Sequence, residues 1–161
     1  MNESFQNLGI GQPLAEALAK MGITEPTAIQ QEAIPAVLAG RDVVGRSATG
    51  TGKTLAYLLP LVAKIDPTRR ENQAIILAPT HELAIQIQRH LEALLSHAGL
   101  PVTAAPLIGN ANIMRQIDKL KEKPHILIGS AGRILELIQK RKITIAAIKT
   151  IVLDEADRLL D

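Results

Sequence analysis

One stretch constrains this chain more than any other: Gly45-Arg46-Ser47-Ala48-Thr49-Gly50-Thr51-Gly52-Lys53-Thr54. The short apolar run before it, Asp42-Val43-Val44, predicts a strand at 42–45, and Leu55-Ala56-Tyr57-Leu58-Leu59 after it predicts a helix. Strand, glycine-rich turn, Lys-Thr and helix are the parts of a phosphate-binding loop. Glycines let backbone N–H groups curl around phosphate oxygens. The helix N-terminus adds the positive end of its dipole. In this reading Lys53 reaches the β- and γ-phosphates and the Thr54 hydroxyl ligates Mg²⁺. The strict pattern has glycine five positions before Gly52, where this chain has Ser47.

The rest of the chain alternates between two periodicities. Helices are predicted at 11–20, at 27–39 behind a Thr27 cap, and from Gly52 to about Ile65, with Pro35 and Pro60 bending the second and third. Ala74-Ile75-Ile76-Leu77-Ala78 is a continuous apolar run, the mark of a buried parallel strand. A long amphipathic helix is expected from Thr80 to about His97. Further strands are expected at 102–108, 125–128 and 150–153, with helices from residue 110 or 111 to 120 and from 130 to 140 between them. Strands alternating with helices predict a doubly wound α/β fold with a mostly parallel sheet. At 161 residues one domain is the natural expectation.

In such sheets ligands sit beyond the carboxyl ends of the strands. The run 150–153 leads into Asp154-Glu155-Ala156-Asp157. A carboxylate there, in a chain with a phosphate loop, is the expected Mg²⁺ partner. Asp154 would hold the metal, partly through water, and Glu155 would orient or deprotonate the attacking water. The same acids could simply cap the next helix. Three other strand ends carry Pro79-Thr80-His81-Glu82, Gly109-Asn110 and Ser130-Ala131-Gly132-Arg133. Each offers helix N-terminal N–H groups to an anion. A row of three suits a nucleic-acid backbone, with Arg133 adding charge-assisted bonds, although capping alone explains the same residue types.

Composition narrows the partners. Phe5 and Tyr57 are the only aromatics, so binding by a platform of stacked bases is excluded, and any nucleic acid must be held by its backbone. A formal charge of +2 does not by itself argue for such binding. Zero cysteines exclude disulfides and thiolate metal sites and agree with a reducing compartment, the cytoplasm. The four histidines show no metal-ligand spacing. Met1-Asn2-Glu3-Ser4 lacks the features of a secretory signal, and no apolar run approaches membrane-spanning length, so no membrane is expected. The lysines at 119, 121 and 123 and the run Lys140-Arg141-Lys142 read as solvated faces near helix ends.

From Phe5 to Asp161 the chain resembles the first RecA-like domain of a DEAD-box RNA helicase. Asp154-Glu155-Ala156-Asp157 is the tetrapeptide that names that family, and residues 47–54 are similar to its phosphate loop, which commonly begins with alanine. Gly22 through Gln30 resembles the Q motif, which reads adenine. The resemblance implies a RecA-like P-loop NTPase domain over 1–161, with helices on both faces of its sheet, incomplete at its C-terminus, and with its Q-motif region at 3–31. It implies ATP and Mg²⁺ as cofactors. Phe5 would stack on adenine and Gln30 would read it, with Thr24 also at the nucleotide. Ser47, Ala48, Thr49, Gly50, Thr51, Gly52, Lys53 and Thr54 would hold phosphate. Lys53, Asp154 and Glu155 form the expected catalytic set, with Thr54 and Asp154 at the metal. Pro79, Thr80, His81, Gly109, Asn110, Ser130, Gly132 and Arg133 would contact the RNA backbone.

The departures from the family pattern fall on the RNA side. His81 stands where arginine is expected, Asn110 where the second glycine of a pair is expected, and Ser130-Ala131 in place of Thr-Pro. Altered or weakened RNA contact follows, with a pH dependence from His81, while Asn110 can still adopt left-handed angles. The family's Ser-Ala-Thr motif and its second RecA-like domain, with arginine fingers, are expected after Asp161. A finger is worth roughly 10³–10⁵ in rate. The 161 residues alone are therefore expected to bind nucleotide weakly and neither hydrolyse nor unwind. The alternatives are an ATP-gated RNA clamp, or a phosphate-loop NTPase that does not act on RNA.

Overall fold

The computed structural model describes residues 4–47, 52–109 and 111–159. Contacts divide the chain into two compact units, Met1–Lys64 with Ala93–Leu100, and Ile65–Glu92 with Pro101–Asp161.

The first unit carries α1 (Gln12–Lys20), α2 (Ala28–Leu38) and α3 (Lys53–Ala63). Pro13 lies in the first turn of α1, where a missing N–H costs nothing. α2 opens with a capping box, Thr27 and Gln30 satisfying each other's backbone N–H groups. Both α2 and α3 contain an internal proline, Pro35 and Pro60. Leu18, Ile34, Leu58, Leu59 and Leu61 are fully buried.

Residues 41–47 form no strand, contrary to the expectation at 42–45. Val43 is 41% and Val44 96% exposed. A strand exists through ladder bonds to a neighbouring strand, and among the described residues no strand is laddered to 42–45. Ala48–Thr51, the middle of the phosphate loop, lie outside the described residues.

The second unit is built on β1 (Ala74–Leu77), α4 (His81–Ala98, of which residues 81–92 belong here), β2 (Ala104–Leu107), α5 (Ile113–Leu120), β3 (Ile126–Gly129), α6 (Ala131–Gln139), β4 (Thr150–Leu153) and α7 (Ala156–Leu159). Among the described residues the sheet has four strands in the order β2-β3-β1-β4, every pair parallel. The register sets Leu77 against both Gly129 and Leu153, and Leu107 against Gly129. All four strands therefore end in one row. Gly129 is required there: a Cβ on it would lie 1.9 Å from the Leu107 carbonyl oxygen.

Side chains alternate across the sheet. Ile75, Ala105, Leu107 and Leu127 share a core with Leu120 of α5, Ile134 and Leu137 of α6, and Ile143. Ile76, Ile126 and Ile128 face the other way and are also fully buried. β4 alternates differently, with Ile151 61% and Leu153 51% exposed. Fully buried His125 precedes β3 and accepts the Thr103 N–H on Nδ1 at 3.0 Å, tying β3 to the segment before β2. No described helix is long and apolar enough to cross a membrane.

Candidate functional site

In the first unit one predicted nucleotide residue, Gln30, meets another, Gly52. Gln30 is 1% exposed. Its side-chain oxygen accepts the Thr27 N–H at 2.9 Å, and its side-chain amide donates to the Gly52 carbonyl at 3.0 Å. Gln30 thus caps α2 with one end of its amide and holds the end of the phosphate loop with the other. Gly52 adopts φ +85°, and a Cβ there would meet Gln30 Nε2 at 2.4 Å and Thr27 Oγ1 at 3.1 Å. Only glycine fits that crossing. α3 starts at Lys53 behind Gly52, which makes no side-chain cap. Ser47, Lys53 and Thr54 are half-buried. Phe5 is 4% exposed, packed in the interior, and its carbonyl accepts from the N–H groups of Leu8 and Ile10. Thr24 is exposed.

In the second unit the row of strand ends gathers the remaining residues. Thr80 caps α4, its hydroxyl accepting the Leu83 N–H at 3.1 Å, and Ser130 caps α6, accepting the Arg133 N–H at 3.3 Å. His81 and Gly109 are exposed and Pro79 is half-buried. Gly132 is also exposed, and a Cβ on it would meet nothing within 4 Å. Asn110 lies outside the described residues. Asp154 is 4% exposed, and its N–H donates to the Leu77 carbonyl at 3.0 Å, fixing the end of β4 to the end of β1. Glu155 sits at φ +51°, with Oε2 3.0 Å from Arg158 Nη1.

Arg133 directs its guanidinium inward. Nη2 donates to the Gly109 carbonyl at 2.9 Å, and Nη1 to the Ala111 carbonyl at 3.3 Å and to Gln116 Oε1 at 2.8 Å. Nε pairs with Glu136 at 3.2 Å, and the side chain is 11% exposed. Gln116, 5% exposed, then donates from Nε2 to the Ile108 carbonyl at 2.9 Å. Sequence reading missed Gln116, because nothing marks a glutamine on an amphipathic helix as a bridge. The Asn112 cap of α5 was within reach, being a capping residue just ahead of the apolar Ile113 and Met114.

The family model for the DEAD/DEAH box helicase matches residues 27–161, from the α2 cap through Asp154 to the last residue. The chain belongs to this family. Among curated helicases of this kind, it is 50% identical over 147 residues to DEAD-box ATP-dependent RNA helicase CshC of Bacillus cereus, covering 91% of this chain and 37% of that one. It is 43% identical over 161 residues to DEAD-box ATP-dependent RNA helicase CshA of Bacillus licheniformis, covering all of this chain and 33% of that one. The crystal structure of a DEAD box protein from the hyperthermophile Methanococcus jannaschii is similar over 98% of this chain and 42% of that one, with a TM-score of 0.88 and 32% identity. The DEAD/DEAH box chain described here thus has the RecA-like parallel sheet of its family and spans about a third of the length of these curated relatives.

Proposed function

We propose that this chain is the nucleotide-binding lobe of an ATP-dependent RNA helicase. The observation that carries the reading is the Gln30–Gly52 bond, which joins the Q-motif segment to the phosphate loop at 3.0 Å. Lys53 and the first-turn N–H groups of α3 hold the phosphates. The residues suit Mg²⁺ in the form that nucleotide enzymes use. Mg²⁺ keeps several waters and takes one or two protein oxygens beside the phosphates. Asp154 offers a buried carboxylate at a strand end and Thr54 a hydroxyl in the first turn of α3. When bound, the ion neutralises charge that develops on the phosphate oxygens. Glu155 takes the proton of the attacking water on its carboxylate.

RNA is held along the row of strand ends, through its sugar-phosphate backbone, which carries no sequence information. A second RecA-like domain in the longer protein closes on this lobe and completes catalysis. The 161 residues alone bind ATP or ADP weakly and neither hydrolyse nor unwind. The cytoplasm is the proposed compartment. The test is Glu155→Gln in the full-length protein that carries this sequence, with unwinding and RNA residence time measured together. A helicase loses unwinding, whereas an ATP-gated clamp keeps its RNA residence and shows no unwinding before or after the change. ATP turnover indifferent to RNA would instead favour an NTPase of another kind. RNA-stimulated turnover by the 161 residues alone would refute the inactivity of the lobe.

A further inference from the structure

The turn between β2 and α5 is held from inside by two side chains. Ile108, Gly109 and Ala111 each give their carbonyl to Gln116 or Arg133, and Gln116 and Arg133 bond to each other at 2.8 Å. The Ile108 carbonyl is also the acceptor of the Ala111 N–H at 3.2 Å, which closes the turn. All peptide bonds of the described residues are trans. In a planar trans peptide the N–H points opposite to the C=O of the same unit. Drawing the Ile108 and Ala111 carbonyls toward Gln116 and Arg133 therefore turns the N–H groups of Gly109 and Asn112 away from them. Gly109 follows the end of β2, and Asn112 caps α5.

We infer that Gln116 is a positioning residue for RNA binding: it clamps Arg133 and the Ile108 carbonyl together, and so holds the Ile108 and Ala111 carbonyls inward and the N–H groups of Gly109 and Asn112 turned out toward a phosphate. The inference rests on the proposed RNA-backbone role of this edge. Arg133 in this arrangement is the other half of the clamp. Its charge satisfies three oxygens of the fold, on Gly109, Ala111 and Gln116, and pairs with Glu136. Gln116 suits the post because one amide both accepts and donates. A hydrocarbon of the same size does neither.

The test uses the full-length protein, a fluorescein-labelled oligouridylate, and a non-hydrolysable ATP analogue. Gln116→Leu is expected to weaken RNA binding about tenfold. The KM for ATP without RNA should stay at the parent value. Gln116→Glu keeps an acceptor for Arg133 and loses only the donor, so it should retain part of the affinity. It also serves as the second variant should Gln116→Leu fail to fold. In an Arg133→Ala background, Gln116→Leu should have little further effect, since the two act as one unit. RNA affinity unchanged in both Gln116 variants overturns the inference alone. So does a loss of ATP and RNA affinity in equal proportion with a lowered thermal midpoint, which marks a purely structural residue. A parent protein that binds no RNA overturns the helicase reading together with the inference.

Discussion

The side-chain amide of Gln30 donates to the main-chain carbonyl of Gly52 at 3.0 Å, across 22 residues of sequence. The other end of the same amide closes the capping box with Thr27. A change at Gln30 is therefore felt directly at Gly52. Gln30→Glu separates the two tasks. The carboxylate still accepts the Thr27 N–H, so α2 keeps its cap, but it cannot donate to Gly52 and sets oxygen against oxygen there. Nucleotide affinity should fall about tenfold, with little change in helix content. Nucleotide titration alongside circular dichroism checks this, and a fall in helix content matching the loss of affinity would contradict it.

Gly52→Ala meets the same contact from the other side. The backbone there has φ +85°, and the new methyl would lie 2.4 Å from Gln30 Nε2. Strain of about 1–3 kcal/mol is expected. The variant should lower both the thermal midpoint and nucleotide affinity, more than Gly132→Ala, whose Cβ meets nothing within 4 Å.

At Gly129 the obstacle is backbone. A Cβ would lie 1.9 Å from the Leu107 carbonyl oxygen, which the β2–β3 pairing holds in place. Gly129→Ala must push β3 away from the neighbouring β2, and a destabilisation of about 3 kcal/mol is expected. Thermal unfolding of the variant beside the parent measures it, and a midpoint equal to the parent's would show that β2 can shift without cost.

His125 makes stability depend on pH. Its Nδ1 accepts the Thr103 N–H, so the ring is neutral with the proton on Nε2. Burial, and then the positive charge of Arg70, hold its pKa below the usual 6.5, while the Pro67 carbonyl and the Asp66 carboxylate work the other way. The unfolded chain therefore takes up a proton that the folded chain refuses. Stability from this site is complete above the unfolded pKa and is lost as pH falls from about 6.5 toward the lower folded value. The thermal midpoint should drop between about pH 7.5 and about pH 5.5, and less steeply in His125→Gln. Equal slopes in parent and variant would assign the drop to other groups. Asp66, whose pKa is lowered by its bonds to Thr68, loses its contribution as pH falls through the ordinary carboxylate range and below it, a window more acidic than that of His125.

His81 lies exposed at the first position of α4. His81→Arg places a permanent cation there. RNA affinity should rise, and the slope of log K against log salt should steepen by about 0.7 for one added phosphate contact to a single strand. A salt titration of RNA binding decides it, and identical slopes would remove His81 from the RNA edge.

The sequence alone determined the local order of this protein. The run at 74–78 declares a buried parallel strand because both its faces are apolar, and Thr27 declares a helix start because a capping bond closes within three residues. The resemblance of its motifs to those of a known family also pointed to the family to which the chain belongs. What needed the tertiary structure was every feature whose partner is distant in sequence. Residues 42–45 looked like a strand because two valines favour one, yet a strand is defined by a neighbouring strand, and among the described residues none is laddered to them. Arg133 looked like a cation for an outside phosphate because charge is visible in a sequence and direction is not. Its partners at Gly109, Ala111 and Gln116 lie 17 to 24 residues away. Only folding brings those carbonyls within reach. Once they are, hydrogen bonding to charged groups is strong enough to draw the guanidinium inward.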